Sequence, residues 1–151
     1  RAIGAARNGD AAKAQKDLAK LEAMVAAQDE KSGKKGPSSN DDDIRVQEAR
    51  AWVAYAQGKG DDAVRTLRAA AGNEKVESLS MPAREMLADM LLESERASEA
   101  LHEYQLTLRE SPNRFDALYG AAHAAESATP PAPALAAKPH SPPNLARVPS
   151  P

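Results

Sequence analysis

Apolar positions recur along the first 126 residues at spacings of three and four, interrupted by short polar stretches. Leu18, Leu21 and Val25 stand at i, i+3 and i+7, on one face of a helix predicted over about 10–29. "KSGKKGPSSNDDD" ends that run. Gly33, Gly36 and Pro37 disfavour its continuation, and residues 39–43 offer N-caps and negative charge for the next helix. That helix is predicted over 44–57, with Val46, Ala49, Val53 and Ala56 as an apolar stripe and Gly58 and Gly60 as its stop. Asp61 caps the following one, which carries Ala63, Val64 and Leu67 on one face. "SLSMPAREMLADMLLE" opens with Ser80 as a cap and Pro82 in the first turn, where a missing N–H costs nothing, and runs to about Glu95. Another helix covers 97–110. After a Ser-Pro stop, "RFDALYGAAHAAE" begins a last one, Ala-rich like the rest. No alternation of period two competes, so the fold class is all-α.

The remaining residues have a different texture. Eight of the eleven prolines lie in 127–151, where there is no acidic side chain. A proline inside a helix costs ~3 kcal/mol. The segment therefore reads as a disordered, polyproline-like Pro/Ala-rich tail following a helical domain at 1–126. Prolines from Pro130 onward also deny the last helix a following partner. It is either a lone cap or is joined to a tail that is not its natural continuation.

The helices fall into pairs. Ala14, Ala63 and Ala100 each stand near the start of a second helix, and four residues later come Leu18, Leu67 and Tyr104. Turns at Gly9-Asp10 and 58–61 precede the first two. The intervals of 49 and 37 residues differ because polar insertions at 30–43 and 73–80 fall between pairs, where they disturb no packing. The spacing of Leu87-Ala88, Leu91, Ala100, Tyr104 and Pro112 resembles the tetratricopeptide repeat. Units fall at approximately 1–28, 44–77 and 81–114, with a partial unit at 115–126. Arg84 replaces the Trp of that pattern, and Glu95 stands where a turn glycine is common.

The resemblance implies a short solenoid of antiparallel helical hairpins whose first helices line a concave groove for extended peptides. In that register Glu48, Trp52 and Tyr55 of the second unit face the groove. Glu85, Asp89 and Leu92 of the third, and Tyr119 and His123 of the last helix, join them. Core packing is the other reading of Trp52 and Tyr55, which share a face at i, i+3. The family's Lys/Asn/Arg clamp for a terminal carboxylate is missing, since Glu48, Glu85 and Asp89 stand at the matching places. A basic extended segment is the expected ligand, with an arginine stacked on Trp52.

Composition supports thin helical layers. Apolar residues make up 42% of the chain but aromatics only 3%, and alanine supplies much of the difference. A net charge of −2 does not suit a general nucleic-acid binder. No run approaches the ~18 apolar residues of a membrane span. The absence of cysteine leaves the compartment open. The chain starts at Arg1 inside what reads as the tail of a helix, which suggests a fragment whose preceding domain and leader are unknown.

Signatures of chemistry are lacking. His102 with Glu99 and Glu103 is ordinary surface spacing without His-Glu-x-x-His. Asp41, Asp42 and Asp43 are adjacent rather than alternate, unlike a calcium loop. The stretch 58–60 lacks phosphate-loop spacing, and no serine sits in Gly-x-Ser-x-Gly. Lys31, Lys34 and Lys35 read as a solvated linker, and Pro139 with Pro142 as an incidental Pro-x-x-Pro. No catalytic, cofactor or metal residue is expected. The expected function is a non-enzymatic scaffold binding a protein or peptide. The alternative is a structural repeat segment of a larger enzyme or sensor whose active domain lies upstream.

Overall fold

A computed structural model describes residues 1–33, 43–73 and 82–128 and, among them, forms helices without any strand. They are α1 (Ala2–Arg7), α2 (Ala11–Lys31), α3 (Ile44–Ala56), α4 (Gly60–Asn73), α5 (Ala83–Glu93), α6 (Ala97–Glu110) and α7 (Phe115–Ala128). Each helix packs on the next in the chain, and α1, α3, α5 and α7 also touch in that order. The result is an all-α, helical-repeat-like arrangement of stacked hairpins. The caps expected at 39–42 and Ser80, the lysines at 34 and 35, and the Pro-rich stretch from 129 onward lie outside the described residues.

Local signals set most helix ends. The Asp10 carboxylate accepts the Lys13 N–H at 2.9 Å and caps α2. Asp43 caps α3 by accepting the Arg45 N–H at 2.9 Å. The Arg45 side chain hydrogen-bonds the same carboxyl and outweighs the cost of burial, holding it below its ordinary pKa. Two starts differ from expectation. α4 begins at Gly60, so Asp61 and Asp62 sit inside its first turn and act on the helix dipole instead of capping it. Pro82 occupies the cap position of α5 and not its first turn. That helix stops at Glu93, two residues early, because Ser94 and Glu95 form the turn.

Three turns repeat one geometry. Gly9, Gly58 and Glu95 all take positive φ, at 77°, 80° and 60°. In each, the following N–H reaches back five residues: Asp10 to the Ala5 carbonyl, Lys59 to Ala54 and Arg96 to Leu91, at 2.9–3.0 Å. The left-handed residue itself donates to the carbonyl three residues before it. This paired bonding satisfies the last carbonyls of the first helix and reverses the chain into the second. Glycine adopts that φ without strain, whereas Glu95 pays for its Cβ.

Five residues beyond each left-handed residue come Ala14, Ala63 and Ala100, all 0% exposed. Seven residues before it come Ala2, Ala51 and Ala88, also buried. Buried alanines at these places allow neighbouring helix backbones to approach closely. The larger core residues Leu18, Leu67, Leu87, Met90, Leu91 and Tyr104 pack around them. α3 is in contact with α1, α2, α4 and α5, so Val46, Ala49, Ala51, Trp52 and Val53 are all buried and it has no single inward stripe.

Ion pairs join elements that the apolar core also joins. Arg50 of α3 meets Glu22 of α2 at 2.8 Å. Arg68 of α4 reaches Glu99 of α6 at 3.2 Å. Arg84 of α5 pairs with the buried Glu103 of α6 at 2.9 Å and reaches the Ala71 carbonyl of α4.

Replacing Glu95 with Gly removes the left-handed Cβ and should raise stability by ~0.5–1 kcal/mol, read as a higher urea midpoint. Ala100→Leu should lower stability by ~1–3 kcal/mol through overpacking at a buried position. Ala19→Leu, on the exposed side of α2, should leave the midpoint nearly unchanged.

Candidate functional site

The predicted groove residues divide into two groups. Trp52 is 0% exposed, Glu48 4% and Glu85 1%. These three are buried rather than open to solvent as expected, with Trp52 lying beneath the Arg7 guanidinium. The reason is the position of α3 and α5, each packed by helices on both sides. Trp52 meets the half-buried Tyr55 edge-on, ring centres 5.7 Å apart, as a core pair. Glu85 is covered by Arg114 from the turn before α7, whose Nε donates to Oε2 at 2.5 Å. That pair fixes α7 on α5.

The second group converges. Asp89 and Leu92 of α5 and Tyr119 and His123 of α7 line one open groove of about 460 Å³. Arg7, Glu93, Tyr104, Asp116 and Gly120 complete its walls. A larger depression of about 870 Å³ between α1 and α2 is lined chiefly by exposed polar side chains, with no aromatic ring among them. The smaller groove has the more specific chemistry.

Its inner end is highly organised. The Tyr104 hydroxyl donates to Asp89 Oδ1 at 2.6 Å. Burial, reinforced by that bond, pushes the phenol far above its ordinary pKa, so it stays a donor. Arg7 donates to Glu93 at 3.0 Å and lies 3.5 Å from the other Asp89 oxygen. The same guanidinium sits 4.9 Å from the centre of the Trp52 ring. Thus Trp52 does carry an arginine, but one from its own chain.

An aromatic row runs along α7, and two of its members, Tyr119 and His123, line the groove. Phe115, Tyr119 and His123 recur every four residues along α7, with successive ring centres 6.5 Å apart and planes tilted by 17° and 29°. Phe115 is 76% and Tyr119 68% exposed, large values for such side chains. Gly120 on the same helix lets α7 lie against Tyr104: a Cβ there would stand 2.3 Å from the ring carbon Cζ. Sequence reasoning missed Arg7, Glu93, Tyr104, Asp116 and Gly120 as groove residues. Only Gly120 carried a local signal, a lone glycine inside an alanine-rich helix.

The His102 neighbourhood is engaged in ion pairing. Glu99 accepts from Arg96 at 2.8 Å, and that bond, helped by Arg68, holds its carboxyl below the ordinary range. Glu103 is taken by Arg84. Among the described residues no group of three or more His, Asp or Glu side chains could hold a metal ion. No described helix is long and apolar enough to cross a membrane. Compared with protein-family models, curated proteins and solved structures, the chain matches none.

Gly120→Ala tests the close approach. Helix propensity alone favours alanine by ~1 kcal/mol. The displaced Tyr104 ring, 2% exposed and bonded to Asp89, should more than offset that gain and lower the thermal midpoint. An unchanged or higher midpoint would show that Tyr104 can move without cost.

Proposed function

We propose that this chain is a non-enzymatic scaffold of the tetratricopeptide-like class that binds a basic, extended segment of a protein partner. The units near 1–28, 44–77 and 81–114, with the partial unit 115–126, are read as successive turns of a short solenoid. The recurrence of one left-handed turn at Gly9, Gly58 and Glu95, each followed five residues later by a buried alanine, supports that reading.

One observation carries the functional part: an exposed aromatic row beside clustered carboxylates. Tyr119 and His123 line the same groove as Asp89, Glu93 and Asp116, with Arg7 as the one cation among its lining residues. Rings and carboxylates together suit Arg and Lys side chains, whose stems lie on apolar surface while their heads meet charge. The carboxylates raise the association rate, and salt screens that contribution.

A peptide display selection should therefore enrich Arg- and Lys-containing sequences over acidic ones. Tyr119→Ala should weaken a selected peptide about tenfold, the size of one stacked cation–π contact, with the helical circular dichroism preserved. Enrichment without charge preference, or full binding by Tyr119→Ala, would reject the proposal.

A further inference from the structure

The Arg7 side chain links helices that are far apart in the sequence, and it does so inside the groove. Its guanidinium lies over the Trp52 ring at 4.9 Å and bonds Glu93 at 3.0 Å, with Asp89 at 3.5 Å. An aromatic face with two carboxylates at its edge is the arrangement that recognises a planar cation. We infer that Trp52, Asp89 and Glu93 form a guanidinium-binding subsite that the chain fills with its own Arg7 and yields to an arginine of the bound segment. This rests on the peptide-binding reading above and deepens it.

Three features separate this subsite from an ordinary strut. First, two of its three members have anchors other than Arg7. Asp89 is held by the Tyr104 hydroxyl at 2.6 Å, and Tyr104 is held in turn against Gly120. Trp52 is packed among core residues and against Tyr55. Second, the occupant is loosely held. The Arg7 side chain is 41% exposed and Glu93 39%, and pairs in that environment contribute little because water competes for both partners. Arg7 lies in the last turn of the short α1, next to the turn at Asn8 and Gly9, so its side chain can rotate outward while Ala2, Ala5 and Ala6 stay packed. Third, the subsite opens into the groove: Arg7, Asp89 and Glu93 line it together with Tyr119 and His123. A segment lying along the aromatic row therefore meets the subsite at its inner end.

An internal occupant reduces apparent affinity by the fraction of molecules in which the subsite is free. Removing it should tighten binding of an arginine-containing segment, against the usual effect of deleting an ion-pairing residue.

Trp52 is the chain's one tryptophan, so its fluorescence reports on the subsite directly. In Arg7→Ala the emission should move to the red as water reaches the ring, and N-acetylarginine amide should reverse the shift. N-acetyllysine amide should do so weakly, and the uncharged citrulline analogue not at all. A display-selected basic peptide should bind Arg7→Ala about tenfold more tightly than the parent. Adding Asp89→Asn and Glu93→Gln to that variant should abolish the gain. Arg7→Lys keeps the charge without the planar stack and should fall between the two.

Emission of Arg7→Ala that ignores the arginine amide would overturn the inference, as would peptide binding no tighter than the parent's. Loss of the helical signal in both Arg7→Ala and Arg7→Lys would also overturn it, because Arg7 would then be a structural strut. Tyr119-dependent peptide binding with no effect at Arg7 sinks the subsite and leaves the scaffold. Reversal by arginine amide without any peptide binding supports the subsite and sinks the scaffold.

Discussion

Two helices approach only as closely as the side chains between them allow, and in this protein many of the buried side chains are alanine. Ala14, Ala63 and Ala100 on the second helices, with Ala2, Ala51 and Ala88 on the first, are all buried. A left-handed turn lies between the two helices of each pair. Close approach leaves little room for rings, so the few large side chains must find prepared places. Trp52 lies on α3, which has helices on several sides. Tyr104 lies against α7 where Gly120 leaves a gap. The groove exists because that second accommodation brings α7 beside α5 and α6.

Charge supplies the placement that alanine contacts cannot. Smooth alanine faces slide past one another at low cost, whereas an arginine bonded to one carboxylate defines a distance and an angle. Arg114 with Glu85, Arg84 with Glu103 and Arg50 with Glu22 each join different elements. Glu85 is almost fully buried, so its pairing contributes more to selecting one docking of α7 than to net stability.

The groove combines groups with opposite tolerances. Its inner end, from Tyr104 through Asp89 to Arg7 and Trp52, is bonded and partly dry, and suits selective recognition of a single cation. Its outer side, lined by Tyr119 and His123 with Phe115 stacked on Tyr119 just beyond, is wet and ring-faced, and suits contact with many extended sequences. A scaffold of the proposed kind needs both, one to fix register and one to supply area.

The all-α class, the pairing of helices and most helix boundaries were legible in the sequence, because periodicity of three and four and capping residues act over a few positions. The equivalence of Ala14, Ala63 and Ala100 was legible for the same reason. Gly60 as the start of α4 and the stop at Glu93 were missed by one or two residues, where several polar side chains compete for one cap. Of the eight proposed groove residues, Asp89, Leu92, Tyr119 and His123 line the groove, while Glu48, Trp52 and Glu85 are interior and Tyr55 packs against Trp52. A helical wheel could not separate these groups, since α3 and α5 are covered on more than one side by helices distant in the chain. An arginine on Trp52 was expected from a ligand, whereas the tertiary structure places Arg7 of the same chain there. Short-range periodicity determines which faces of a helix can be buried; which neighbour buries them depends on contacts across 80 residues or more, such as Arg7 with Asp89 and Glu93.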